Sequence, residues 1–190
     1  PRKNHMLLFN VWRELFRRLG RRTPKLMIVG SRWSKHSDAL DFITKSTALA
    51  PYIVHVDRLS TGALARLVAG ACALLMPSFA EGFGLPIVEA LAAGTPVIAS
   101  NIAAHIEAGG SLPTYVSPID GLGWIAAIEE HLEHHARFRT RLSGHQPLTW
   151  PVYFERITAF LRALSGTMSG DGGGSDAMPV SGRPIPEAAL

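Results

Sequence analysis

The chain has 190 residues, 47% of them hydrophobic and 8% aromatic, with 19 Lys and Arg against 15 Asp and Glu. That composition is too apolar for a disordered chain, its length suits one domain, and its apolar runs break well before the roughly 18 residues of a membrane span. A single cysteine, Cys72, rules out a disulfide framework and points to a reducing, cytoplasmic setting; no signal-peptide pattern marks the opening Pro1-Arg-Lys3.

Leu8, Val11, Trp12, Leu15, Phe16 and Leu19 recur at three- and four-residue spacing and predict a helix over residues 4–19, stopped by Gly20. Short apolar runs at Lys25–Val29, Tyr52–Val56, Cys72–Met76 and Pro96–Ala99 read as buried strands. Between them lie predicted helices at 36–49, from the N-cap Ser60 to Ala69, and from Pro86 to Ala93. Strands that are apolar on both faces and alternate with helices predict an α/β, Rossmann-like parallel sheet covered on both sides. Beyond residue 100 the pattern loosens: Tyr115-Val116 reads as a last short strand, 121–142 as mostly polar helix, and Trp150–Leu164 as amphipathic helix. Residues 165–190 are half Gly, Ser or Pro and predict a disordered tail.

Charge is unevenly placed. Residues 1–25 carry a balance of +7 and the remainder −3. Such a front end suits an anionic partner, either nucleotide phosphates or an anionic membrane surface, or it is a solvated helix face. Nucleic acid is not expected, because Phe9, Trp12 and Phe16 fall on the apolar side of the helix and no nucleic-acid signature is present.

The segment Pro77-Ser-Phe-Ala-Glu-Gly-Phe-Gly-Leu-Pro-Ile-Val-Glu89 carries the chemistry. It leaves a strand and enters a helix, where open parallel sheets bind ligands. Gly82 and Gly84 allow close backbone approach, and the helix start offers unpaired N–H groups and a positive dipole end to an anion. It is neither a dinucleotide fingerprint nor a Walker loop. Glu81 and Glu89 flank this seat. Carboxylates there suit sugar hydroxyls better than phosphate, although Glu89 could instead serve as a first-turn acid favoured by the dipole. The residues alone therefore indicate a nucleotide or sugar-phosphate site.

Glu81-x7-Glu89 within Glu-Gly-Phe-Gly-Leu-Pro-Ile-Val-Glu-Ala, followed by Gly94-Thr-Pro-Val-Ile-Ala-Ser100, resembles the donor-site signature of family 4 retaining glycosyltransferases. The likeness extends to Pro1-Arg-Lys-Asn-His5, Leu26-Met-Ile-Val-Gly30, Tyr115-Val-Ser-Pro-Ile-Asp120 and the Trp150-x-x-Tyr-Phe154 helix, and so covers residues 1–164. The resemblance implies the donor-binding C-terminal half of a GT-B fold over 1–164. It implies that Lys3, helped by Arg2, clamps a donor diphosphate that also meets the backbone of Gly84 and Leu85, within the Gly82-Phe83-Gly84-Leu85 loop. Glu81 would hold the transferred sugar, Glu89 the ribose, and the loop about Asp57–Leu59 the base. Lys3 and Glu81 are the catalytic candidates, and no cofactor or metal is needed. Transfer would move a hexose with retention to an acceptor hydroxyl, in bacterial polysaccharide or glycolipid synthesis.

Family members carry an acceptor-binding N-terminal domain, and a further strand before the segment matching Arg2-Lys3. The piece in hand is therefore expected to be truncated at its N-terminal side, inactive by itself and marginally stable. Two readings compete with the enzyme half: a non-catalytic nucleotide-binding or partner-dependent module, and a nucleotide-sugar epimerase, which the Glu81-x7-Glu89 motif argues against. Peripheral association with the inner membrane would use the cationic helix. His131, His134 and His135 are expected on a solvated face rather than around zinc, and Cys72 in the core rather than as a nucleophile. His105 and Glu107 are candidates for a donor contact or a helix start, and Trp33 either borders the site or caps the sheet.

Overall fold

The computed structural model describes residues 2–30, 48–145 and 150–168. Trp33, most of the predicted helix at 36–49 and most of the predicted tail lie outside the described residues; residues 48 and 49, the end expected of that helix, form a turn. The chain divides into two compact units, Pro1–Gln146 and Pro147–Leu190. In chain order, the first holds α1 (His5–Leu19), a 3-10 turn (Gly20–Arg22), β1 (Leu26–Val29), β2 (Ile53–Val56), α2 (Thr61–Gly70), β3 (Leu74–Met76), α3 (Leu85–Ala92), β4 (Val97–Ser100), α4 (Ala103–Gly109), β5 (Thr114–Val116), α5 (Gly121–Glu133) and α6 (His135–Arg141). The second holds α7 (Trp150–Met168), so the first residues expected in the tail, 165–168, are helical.

Among the described residues the strands pair in two parallel groups, in keeping with the expected Rossmann-like parallel α/β class. β1 pairs with β2 in the register Leu26↔Ile53, and β4 lies between β3 and β5 in the registers Leu74↔Val97 and Ile98↔Thr114. All four β4 residues are buried, as a central strand covered on both faces requires.

Helix α1 buries Leu8, Phe9, Val11, Trp12 and Leu15 in a core shared with Leu26, Ile28, Ile53, Ile98, Trp124 and Ile128. Each such side chain contributes about 1.5–3 kcal/mol when fully buried. The Trp12 indole N–H donates to the Pro24 carbonyl at 2.8 Å, tying the middle of α1 to the approach to β1. The apolar face of α1 is thus largely spent on the core, and its Arg-rich face is open to solvent. There Glu14 binds Arg17 at 2.7 Å and Arg18 at 2.8 Å, leaving part of the positive charge neutralised.

Two sequence expectations fail here. Helix α5 is not a solvated polar element: Trp124, Ile125, Ala127, Ile128 and His131 are buried on its inner face. The His131 Nδ1–H donates to the Ala127 carbonyl (2.8 Å) and the ring stacks on Phe138 at 3.6 Å, so it packs as an aromatic. Among the described residues no cluster of metal-ligating side chains is present. Cys72 is exposed and not in the core, because it sits in the turn before β3. Helix α4 is an element the periodicity did not reveal.

Burial holds the imidazoles of His5, His105 and His131 below the usual histidine range; for His5, burial and then the Lys3 ammonium bring it to about 4. A histidine with a depressed folded pKa gives stability that is complete above its unfolded value near 6.5 and declines as pH falls toward the folded value. The urea midpoint of the chain is therefore expected to fall between pH 6.5 and 4. His5→Gln should flatten that decline, and a midpoint constant over this window would contradict it.

Candidate donor-phosphate site

The site is assembled where the turn before α1 meets the loop after β3. Asn4 is the pin. It adopts a left-handed conformation (φ 52°), is buried, and its side-chain amide donates to the carbonyls of Pro77 at 3.1 Å and Pro118 at 2.8 Å. The Phe79 amide donates to the Arg2 carbonyl at 2.9 Å, completing the junction. Short polar side chains tolerate this backbone better than most, which is why Asn suits the position.

The junction places Lys3 and Arg2 against Glu81. Lys3 Nζ lies 3.4 Å from one Glu81 oxygen and Arg2 Nη2 3.7 Å from the other, while the Ser78 hydroxyl donates to Glu81 at 2.8 Å. Partial burial would raise the Glu81 pKa, but the Ser78 hydrogen bond and the Lys3 and Arg2 charges outweigh it, so its carboxyl stays below the usual range. Glu81 is therefore ionised at neutral pH. Both cations are about half exposed or more, so these pairs are worth roughly 0–1 kcal/mol and are easily redirected to a stronger anion.

Beside this triad α3 begins. Gly84 is its N-cap at φ 93°, a conformation that L side chains rarely adopt, and a Cβ there would lie 3.3 Å from Ala108 Cβ and 3.5 Å from His105 Cδ2. Glycine is required twice over, by backbone and by space. Leu85 is the first helical residue and Pro86 the second, one position later than expected. A helix start leaves amides without intrahelical partners; here the Ile87 N–H donates to the Gly84 carbonyl at 2.9 Å. Glu89 lies past the first turn, on an exposed position. That removes the dipole explanation for it and leaves an acceptor free to serve a ligand. Phe79, Phe83 and Leu85 are exposed around the mouth, and Gly82 is exposed between them.

His105 is fully buried beneath Gly84, its Nδ1 donating to the Ser100 carbonyl at 3.1 Å, and the N-cap of α4 is Ile102. It supports the seat from below and does not start the helix. Glu107 is exposed on α4. The Asp57–Leu59 loop follows β2, with Asp57 and Arg58 exposed. Sequence reasoning missed Ser78 and Asn4. Ser78 could have been suspected as a hydroxyl three residues before a carboxylate in a turn.

Residues 1–134 match the family described as glycosyl transferases group 1. The chain belongs to that family. It is 33% identical over 132 residues to the O-antigen chain mannosyltransferase RfbU of Salmonella typhimurium, covering 68% of this chain and 35% of the relative. It is 30% identical over 132 residues to O-antigen chain mannosyltransferase B of Escherichia coli, covering 70% and 33%. The chain thus spans about a third of the length of these curated relatives. Among solved structures, sucrose-phosphate synthase from Thermosynechococcus elongatus superposes with a TM-score of 0.63 at 23% identity, over 87% of this chain and 43% of that one. The trehalose 6-phosphate synthase of Burkholderia multivorans gives 0.66 at 13%, over 92% and 43%. The fold is accordingly that of a GT-B glycosyltransferase domain. No described helix is long and apolar enough to cross a membrane.

Proposed function

We propose that this chain is the donor-binding half of a retaining hexosyltransferase acting in bacterial polysaccharide or glycolipid synthesis. The observation that carries the reading is the Glu81 carboxylate held ionised between Ser78, Lys3 and Arg2 at the start of α3. A nucleoside diphosphate brings more charge than Glu81 and accepts charge-assisted hydrogen bonds from several donors. It would draw Lys3 and Arg2 onto its oxygens, with the Gly84 and Leu85 amides completing the seat. Glu81, anchored by Ser78, would then accept from hydroxyls of the transferred sugar, and Glu89 from the ribose.

In the reaction the bond between the anomeric carbon and the diphosphate oxygen breaks and the acceptor oxygen bonds that carbon on the same face. The acceptor's proton leaves with the nucleoside diphosphate. Negative charge grows on the departing oxygens, and Lys3 with the α3 terminus stabilises it without reorganisation. The O-antigen relatives favour a mannose donor, and no metal enters the scheme.

The test is saturation-transfer NMR of the chain against GDP-, UDP- and ADP-sugars, with Glu89→Ala as the control. One nucleotide class is expected to bind and to lose its ribose contacts in the variant. A folded chain that binds none of the three would favour the non-catalytic or partner-dependent module.

A further inference from the structure

We infer that His105 is a further phosphate-binding residue, one that takes a proton onto Nε2 when a diphosphate enters the seat at the start of α3. The inference rests on the reading of this chain as a donor-binding half. His105 lies on α4 and is 0% exposed, and among the described residues nothing pairs with its Nε2. Buried side-chain nitrogens are ordinarily hydrogen-bonded, so an orphan of this kind calls for a partner. The ring carbon bonded to it, Cδ2, lies 3.5 Å from the point where a Cβ on Gly84 would stand. The orphan's edge of the ring is therefore turned to the N-cap of α3. Gly84 at φ 93° disfavours any side chain there, so the notch between ring and seat belongs to the fold.

The tautomer decides what the ring can offer. The Ser100 carbonyl, 3.1 Å from Nδ1, can only accept, so it fixes a hydrogen on Nδ1. The neutral ring then presents a bare lone pair at Nε2, which a phosphate oxygen repels. Moving the hydrogen to Nε2 would set Nδ1 and the Ser100 oxygen against each other as two acceptors. The imidazolium alone keeps the Ser100 bond and offers a second N–H, charge-assisted, toward an anion. Filling the seat and protonating His105 are thus coupled, at one proton from solvent for each diphosphate bound.

The surrounding charges are balanced so that an anion tips them. Burial holds the imidazole neutral at rest; the Ser100 carbonyl and the Glu81 carboxylate favour its charged form, and the Lys3 ammonium opposes it. From β5, the Tyr115 hydroxyl donates to the His105 backbone carbonyl at 3.0 Å and, with its own pKa raised by burial, stays neutral. On α4 itself Glu107 is exposed. A diphosphate offsets Lys3 and adds the negative charge that the ring lacks, in a setting where poor solvation strengthens the attraction. Because the complex holds one proton more, affinity must rise as pH falls from the bound pKa of His105 toward its lower resting value. The ligand adds no proton of its own. Both phosphates of a nucleotide sugar are esterified and lack the ionisation near about 6 of a terminal phosphate.

The test is calorimetry of the 190-residue chain with GDP-mannose, UDP-glucose and ADP-glucose, in two buffers of unequal ionisation enthalpy, neither of them phosphate. For the donor that binds, the two heats should differ by an uptake of roughly one half to one proton near pH 6.5, the ordinary histidine value. Its Kd should fall about five- to tenfold from about pH 8 to about pH 6, as an imidazole raised by a neighbouring opposite charge requires. His105→Gln cannot titrate and should remove both the uptake and the pH dependence. His5 also lies beside Lys3, and its imidazole is held near about 4; His5→Gln should leave the uptake in place. Should His105→Gln fail to fold, the ring 15N signals of the parent chain decide by themselves: Nε2 should read as a bare lone pair in the free chain and as N–H in the complex. Binding without proton uptake, an Nε2 in the same state free and bound, or an uptake lost in His5→Gln and kept in His105→Gln overturns the inference and leaves the donor-half reading standing. A folded chain that binds none of the three donors overturns both.

Discussion

In an enzyme that carries both halves, Lys3→Ala is expected to lower kcat by about 10²–10³, the loss found when one preorganised donor to a developing oxyanion is removed. Lys3 is the group for which this effect should be largest, because it is held beside the loop before α3 by the Asn4 pin and, among the described residues, pairs with Glu81 alone. The loss should fall on kcat and kcat/KM together if the contact strengthens as the diphosphate departs, and on KM alone if it serves binding only. Folding should be little affected, since an exposed pair with Glu81 contributes roughly 0–1 kcal/mol. Lys3→Arg keeps the charge but not the point geometry of the ammonium and should recover part of the rate. Steady-state kinetics with a matched thermal melt separates these cases; unchanged turnover would remove Lys3 from the mechanism.

The parts of the fold that follow a strict period were legible. The apolar stripe of α1 and the short runs that became β1 to β5 appear within two residues of their observed bounds at nearly every end, because periodicity and burial coincide there. Helix α4 was not legible: its seven residues are mostly small, and Ala103, Ala104 and Ala108 carry no stripe. Helix α5 reads as polar because of its histidines and glutamates, whereas the His131 ring is apolar enough to stack in the core when its nitrogens are satisfied. The site divided in the same way. Glycine, proline and the two glutamates in one loop announce a ligand seat through local chemistry. The meeting of Lys3 with Glu81 spans 78 positions and depends on Asn4, whose role is set by two carbonyls distant in sequence, so only the family resemblance anticipated it.

Asn4 should accordingly be the position where stability and site geometry fail together. Asn4→Ala removes two hydrogen bonds and leaves the Pro77 and Pro118 carbonyls short of a donor, at about 1–1.5 kcal/mol for each bond. It also places a Cβ residue without a local polar partner at φ 52°, which adds about 1–2 kcal/mol. Together the cost is roughly 3–5 kcal/mol, a large part of the 5–15 kcal/mol that holds an ordinary domain together. Asn4→Gly separates the two contributions: it accepts the left-handed backbone and loses only the hydrogen bonds, so it should recover the conformational part. The difference between the two variants in urea midpoint measures the strain, and the difference between Asn4→Gly and the parent measures the pin. Because Lys3 and Arg2 reach Glu81 only through this turn, Asn4→Gly should also weaken nucleotide-sugar binding under conditions where it remains folded. A glycine variant with parental stability and parental binding would show that the Phe79–Arg2 backbone hydrogen bond and the packing of α1 suffice to hold the turn, and that the two carbonyl contacts are incidental.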